Sequence, residues 1–228
     1  MRYYPVFLDL QDIPCLVIGG GQVGERKVKT LQSCGAEVYL ISRKLTPYLD
    51  EEVRQERIIL LAPVFETRYL KDKFLIIGAT DDLELNKRIG REARGRGMLC
   101  NIVDDPPECN FILPSLVCRG DLTIAVSTSG ASPALAKKIR RTLEGEFPES
   151  YGGYLDLLGY IRSQVLSRGM AQKENQKIFE ALVASPLLSW LEAGTLGPVY
   201  ELLDHLIDPP LPRPPLTEIL NKFSRPLQ

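Results

Sequence analysis

The sequence predicts an α/β fold: a doubly wound parallel sheet, then a small α+β segment, then a region built of helices alone. Three observations predict it. Apolar strand-like runs alternate with amphipathic helical patterns over residues 15–103, as in a parallel sheet with helices on both faces. From Phe111 a hairpin pattern and one basic helix replace that alternation. Beyond residue 148 only helical periodicity remains. The expected boundaries are 1–113 for the sheet domain, 114–147 for the middle segment and 148–228 for the helical domain.

The sheet domain is organised around a glycine loop. Cys15-Leu16-Val17-Ile18 reads as a short buried strand, and Gly19, Gly21 and Gly24 interrupt it at G-x-G-x-x-G spacing. In that arrangement the first glycine makes the tight turn and the second lets the backbone approach a pyrophosphate. The third lets the following helix pack closely on the strand. Val28 and Leu31 continue an apolar helical face, Gly35-Ala36 closes the helix, and residues 37–42 supply a second strand. This is a Rossmann-like βαβ unit, whose helix N-terminus offers N–H groups and partial positive charge to a diphosphate. A plain strand-to-helix turn meets the same spacing; the βαβ context favours dinucleotide binding over it. An NAD site usually carries Asp or Glu at the end of the second strand, on the ribose 2′-OH. Here Ser42-Arg43-Lys44 stands instead. Two cations favour a 2′-phosphate, hence NADP, or else form a solvated basic loop.

Thr46-Pro47 reads as an N-cap with proline at N1, opening a helix to about residue 55. Further strands are expected at 58–62, 74–79 and 98–103. Between the last two, Asp81 or Asp82 caps a helix carrying Leu85, Ile89 and Ala93, with Gly97 at its end. Polar clusters fall at carboxyl ends of strands, where such sheets bind ligands: the glycine loop, Thr80-Asp81, and Asn101 through Asp105.

A hairpin is expected over 115–127, turning at Arg119-Gly120-Asp121. Ser127-Thr128-Ser129-Gly130-Ala131-Ser132-Pro133 follows and opens a helix bearing Lys137-Lys138 and Arg140-Arg141. Ser132 alone is accounted for as an N-cap; the other hydroxyls beside four cations suggest an anion-binding lip. In the helical domain, Leu155/Leu158/Ile161/Val165, Ile178/Phe179/Leu182/Val183, Leu187/Leu188/Leu191 and Leu202/Leu203/Leu206 read as core stripes. The proline-rich stretch 208–215 is expected to be a stiff, non-helical connector before a short helix over 217–223.

Composition excludes several function classes. At 228 residues, 44% hydrophobic and 25% charged, the chain is an ordinary soluble protein with a real core. A net charge of −1 argues against a broad nucleic-acid-binding surface. No apolar run suits a signal peptide or a membrane span, so neither is expected. Cys15, Cys34, Cys100, Cys109 and Cys118 contain no C-x-x-C and point to buried free thiols in a reducing cytosol. With His205 as the only histidine, expected on a helix surface, neither a resident metal site nor a histidine-based triad is expected.

Five motifs occur in one order: the glycine loop; Ala79-Thr80-Asp81-Asp82 with Asn86; Cys100-Asn101-Ile102-Val103-Asp104; Phe111-Ile112-Leu113-Pro114-Ser115; and Ala125 through Pro133. Together they resemble the precorrin-2 dehydrogenase / sirohydrochlorin ferrochelatase family, closely over 1–147 and loosely beyond. That family comprises the dehydrogenase half of sirohaem synthase and its stand-alone relatives. The resemblance implies NAD-dependent oxidation of precorrin-2 to sirohydrochlorin and, in some members, insertion of Fe²⁺ to give sirohaem. It also implies a homodimer paired through 114–147 and a helical domain over the active site. On this chain it puts dinucleotide contacts at Gln22, Val23, Arg43 and Lys44, and the catalytic aspartate at Asp104. The methyltransferase half fused to some relatives is not expected within this length.

Oxidising precorrin-2 removes a hydride and a proton, so the reaction needs an acceptor's seat and one base. Asp104 suits the base through the family resemblance; by itself it reads more readily as a turn cap before Asp105-Pro106-Pro107. Thr80 and Asp81 join the expected cofactor set. Asn101, Ser127, Thr128, Ser129, Gly130 and Ser132 form the expected substrate set, which with the basic helix suits a polycarboxylate tetrapyrrole. The alternatives are a non-catalytic NAD(P)-sensing regulatory domain, which needs only the glycine loop, and an NADP-dependent reductase of another small substrate.

Overall fold

Five short apolar runs pair as parallel strands because helices cover both of their faces. The computed structural model describes residues 2–223. Strands β1 (Pro14–Ile18), β2 (Glu37–Ile41), β3 (Ile59–Ala62), β4 (Leu75–Gly78) and β5 (Leu99–Ile102) lie in the order β3-β2-β1-β4-β5. The connecting helices are α1 (Gln22–Ser33), α2 (Pro47–Arg54) and α3 (Leu83–Gly95). Alternate residues of each strand face opposite layers. Cys15 and Val17 of β1 pack with Val28 and Leu31 of α1, whereas Leu16 and Ile18 pack with Ile89 and Ala93 of α3. This two-sided burial explains why the strands read as continuous apolar runs rather than alternating ones.

The chain divides into two compact units, one ending at Leu113 and the other beginning at Pro114. The second holds an antiparallel hairpin, β6 (Ser115–Arg119) and β7 (Leu122–Val126), with α4 (Pro133–Glu146). It also holds α5 (Ser150–Leu166), α6 (Gln172–Ala184), α7 (Leu187–Glu192), α8 (Leu196–Leu206) and α9 (Arg213–Phe223). Arg119 ties the hairpin to the end of α4. Its Nε donates to the Phe147 carbonyl at 2.8 Å and its Nη2 to that of Glu144 at 3.3 Å, a cation on a helix C-terminus. Gly120, at φ 56°, lets this turn approach Gly152, whose Cα a side chain would meet at 3.1 Å.

Several expectations are corrected in this unit. The buried face of α5 is Tyr154, Leu157, Ile161 and Val165, with Leu155 and Leu158 only partly covered. Val183 is 64% exposed, so the α6 stripe narrows to Leu182 with Ile178 and Phe179 beside it. The proline-rich connector ends at Pro212, because α9 begins at Arg213 and takes Pro214 and Pro215 into its first turn. Proline lacks an N–H, but the first turn of a helix needs none. Cys34 and Cys118 are exposed; Cys15 and Cys100 are buried. Among the described residues, no helix is long and apolar enough to cross a membrane.

One buried acid links α1 to α2. Glu52 accepts from Arg57 Nε at 2.9 Å and from Gln32 Nε2 at 2.6 Å, and Tyr48 closes the network onto Gln32 at 3.1 Å. The Arg57 hydrogen bond, aided by Gln32 and opposed by burial, holds the Glu52 carboxyl down at about 2. A depressed folded-state pKa stabilises above the unfolded value and loses that contribution as pH falls through the folded one. Stability should therefore decline between about pH 4.5 and about pH 2. Urea unfolding of wild type and Glu52→Gln across that window checks this: the variant should be less stable at neutral pH and show a flatter acid decline.

Candidate functional site

The sheet order reverses between β1 and β4, so the loops leaving these two strands flank a crevice at their carboxyl ends. Backbone bonds fasten the loops there: Gly19 N–H donates to Ile41 O at 2.9 Å and Ala79 N–H to Ile18 O at 2.7 Å. Gly19 has φ 117°, and a side chain on it would lie 2.2 Å from the Ala79 carbonyl oxygen. One on Gly24 would lie 1.9 Å from the Gly19 oxygen, which is how α1 packs so closely onto β1. Gly21 differs from both. A side chain there would meet nothing within 4 Å, and no side chain caps the helix it precedes. The N-terminus of α1, with Gln22 exposed and Val23 half-buried, thus opens on free space.

The two flanking loops are braced by residues that spacing alone did not single out as contacts. Ser42 Oγ accepts from Gly20 N–H at 3.0 Å and donates to the Lys44 carbonyl at 2.7 Å, pinning the glycine loop to the end of β2. Arg43 and Lys44 remain exposed beside it. On the other side, Thr80 Oγ1 donates to Asn86 Oδ1 at 2.7 Å, and Asn86 Nδ2 returns a bond to the Thr80 carbonyl at 2.8 Å. Asn86 is only 2% exposed, so its amide sets the path of the loop that carries Thr80 and Asp81. Asp82, not Asp81, caps α3 through Leu85 N–H at 3.0 Å, leaving Asp81 exposed.

Asp104 stands on the loop after β5, at the same carboxyl edge of the sheet. Asp105 N–H bonds Ile102 O at 3.3 Å across the turn, and Asp104 takes its left-handed position at φ 59°. Aspartate tolerates that conformation better than most residues, and Asp12 and Asp72 show it at ordinary turns of this chain. Asp104 itself is exposed. Lys27 of α1 lies within its electrostatic reach: burial and Arg26 lower the Lys27 ammonium, while Asp104 opposes both. Asn101 Nδ2 is engaged by the chain itself, donating to the Phe111 carbonyl at 3.1 Å.

The hydroxyl loop belongs to the second unit and is largely self-satisfied. Ser127 Oγ accepts from Ser129 N–H at 3.0 Å, Thr128 Oγ1 from Ser132 N–H at 3.1 Å, and Ser132 Oγ from Leu135 N–H at 3.2 Å. Ser129 at φ 53° and Gly130 at φ 86° make the turn. Each hydroxyl keeps a proton to donate. Of the four neighbouring cations, Arg140 pairs with Glu144, leaving Lys137, Lys138 and Arg141 exposed. Among the described residues, no group of three or more His, Cys, Asp or Glu is arranged to hold a metal ion.

A parallel sheet with a glycine loop at its switch point defines a dinucleotide-binding class of protein, and known proteins agree. Residues 6–115 match an NAD(P)-binding family model, and residues 119–146 match the model for the central segment of sirohaem biosynthesis proteins. Siroheme synthase 1 of Serratia proteamaculans is 42% identical over 180 residues, 79% of this chain and 38% of that protein. The siroheme synthase of Methylobacillus flagellatus is 36% identical over 207 residues, 89% of this chain and 44% of that one. A solved structure of SirC, a precorrin-2 dehydrogenase, superposes with TM-score 0.77 at 24% identity, covering 90% of this chain and 98% of its own. At that identity it shows the shared fold. Together these matches support the precorrin-2 dehydrogenase / sirohydrochlorin ferrochelatase family that the motifs resemble. It spans about two-fifths of the length of the curated relatives it matches.

Proposed function

We propose that this chain oxidises precorrin-2 to sirohydrochlorin with NAD⁺, as a step toward sirohaem. The observation that carries the reading is one of placement: the open glycine loop and the Asp104 carboxylate stand at the same carboxyl edge of one sheet. Its substrate class follows from the siroheme synthase relatives, which align over most of this chain. The residues fit a dinucleotide, since the uncapped start of α1 and the empty space at Gly21 suit a diphosphate. Bound there, NAD⁺ supplies a hydride acceptor. Gly19, Gly21, Gln22, Val23 and Gly24 would hold its diphosphate, with Thr80 and Asp81 across the crevice and Arg43 and Lys44 toward the ribose. Asp104 takes the proton that leaves the macrocycle with the hydride. Each on its own unit, Asn101 and the hydroxyls of residues 127–132 are the candidate partners of substrate carboxylates.

Single-turnover oxidation of precorrin-2 with NAD⁺ or NADP⁺ tests the reading. Sirohydrochlorin should form, faster with NAD⁺. Dinucleotide binding with no oxidation would instead favour a sensing domain, and turnover confined to NADP⁺ would return Arg43 and Lys44 to a 2′-phosphate.

A homodimer is part of the same reading. Leu116 on β6 and Leu135 and Ile139 on α4 are 38%, 48% and 38% exposed, an apolar set beside unpaired hairpin edges. A two-fold pairing would bury both at once. Light scattering should give about twice 25.5 kDa at micromolar concentration. A monomer there would count against the pairing.

A further inference from the structure

β5 is an edge strand, so its outward N–H and C=O groups have no strand partner. The chain covers them with two consecutive residues. Asn110 donates its backbone N–H to Cys100 O at 3.0 Å, its Oδ1 accepts from Cys100 N–H at 2.8 Å, and its Nδ2 donates to Met98 O at 2.7 Å. Cys109 continues the pattern one step along the strand. Its Sγ accepts from Ile102 N–H at 3.1 Å and faces two carbonyls, Ile102 O at 3.2 Å and Asp105 O at 3.3 Å, for its single proton. These two carbonyls bracket Val103 and Asp104. The sulfur therefore closes a ring around the turn that carries the candidate base.

We propose that the Cys109 thiol is a positioning residue: it holds the Asp104 turn by bonding both of its ends. The proposal rests on the reading of Asp104 as the base. The chemistry of the group suits this task. Burial raises the thiol above its ordinary pKa, so at neutral pH it is the protonated donor the two carbonyls require. The same burial makes it a poor thiolate, which separates it from a nucleophilic or metal-binding cysteine. The turn also needs an external hold. Asp104 is left-handed, and the bond that spans its turn, Asp105 N–H to Ile102 O, is long at 3.3 Å. Pro106 and Pro107, just beyond, offer no N–H, so the Asp105 carbonyl is held from Glu108 N–H at 3.1 Å and from the thiol.

Cys109→Ala removes donor and acceptor together, whereas Cys109→Ser keeps both on a shorter arm. Hydrogen exchange read by mass spectrometry should show the Ile102 and Asp105 amides exchanging about tenfold faster in the alanine variant, with protection largely restored by serine. Precorrin-2 oxidation should lose roughly tenfold in kcat in the alanine variant, since a displaced base reacts more slowly. The KM for NAD⁺ should stay unchanged, and serine should recover most of the rate. Where alanine leaves the protein unfolded, Cys109→Val, which fills the space without a donor, serves the same comparison. Unchanged exchange in the alanine variant would overturn the proposal. So would faster exchange with normal kcat, which would make the bonds structural only, or equal loss in the alanine and serine variants, which would make the sulfur mere packing. If the wild type binds NAD⁺ yet does not oxidise precorrin-2, the assigned reaction fails, and the exchange comparison still decides whether the thiol holds the turn.

Discussion

A Gly21→Asp protein should keep its fold and lose its dinucleotide. The expectation comes from comparing three glycines of one loop. Side chains on Gly19 or Gly24 would strike backbone carbonyl oxygens at 2.2 Å and 1.9 Å, so their replacement breaks the packing of α1 on the sheet. Gly21 has no such neighbour, and its φ of −80° with ψ of −174° suits any residue. It is also the N-cap of α1, where aspartate is among the preferred residues. The substitution should thus leave thermal stability unchanged or slightly raised. The same carboxylate would occupy the N–H groups meant for the diphosphate and repel its charge. Affinity for NAD⁺ should fall by on the order of 10²-fold or more, given a bulky anion in the pyrophosphate seat. Calorimetric titration beside a melting curve reads both effects. A folded variant with wild-type affinity would remove the glycine loop from the binding site.

The contrast between those glycines also marks what the sequence makes legible. Backbone geometry leaves a signature in residue type: only glycine passes at Gly19 and Gly24, and Thr46, Asp82 and Ser132 cap helices where their spacing expects them. Strands buried on both faces announce themselves as apolar runs. What stays hidden is the choice of partner. Nothing local says that Asn86 reaches back to Thr80, that Ser42 pins Gly20, or that Cys109 and Asn110 cover the edge of β5. Those bonds depend on which strand lies at the edge and where the chain returns, both properties of topology. Periodicity fails in a related way in the helical region. The leucines are frequent enough there that several stripes fit, and only packing selects Tyr154 and Leu157 over Leu155 and Leu158.

Asp104→Asn should slow precorrin-2 oxidation by on the order of 10²-fold or more, the scale of losing a general base. NAD⁺ affinity should be untouched. Asparagine is the better probe than alanine because Asp104 sits at φ 59°, where asparagine is tolerated and alanine is strained. Asp104→Ala adds that strain to the loss of the carboxylate, so a drop confined to alanine would report the turn rather than the base. Asp105 is the natural understudy, being next in sequence and half-buried, and its carbonyl faces Cys109. Its own substitution by asparagine should have the smaller effect. Metal insertion offers a second readout, since it too requires protons to leave the macrocycle, from pyrrole nitrogens instead of carbon. With sirohydrochlorin and Fe²⁺ supplied, Asp104→Asn should depress insertion alongside oxidation if one carboxylate serves both. Insertion preserved while oxidation is lost would separate the two activities. Near-normal single-turnover oxidation by Asp104→Asn would transfer the role to Asp105.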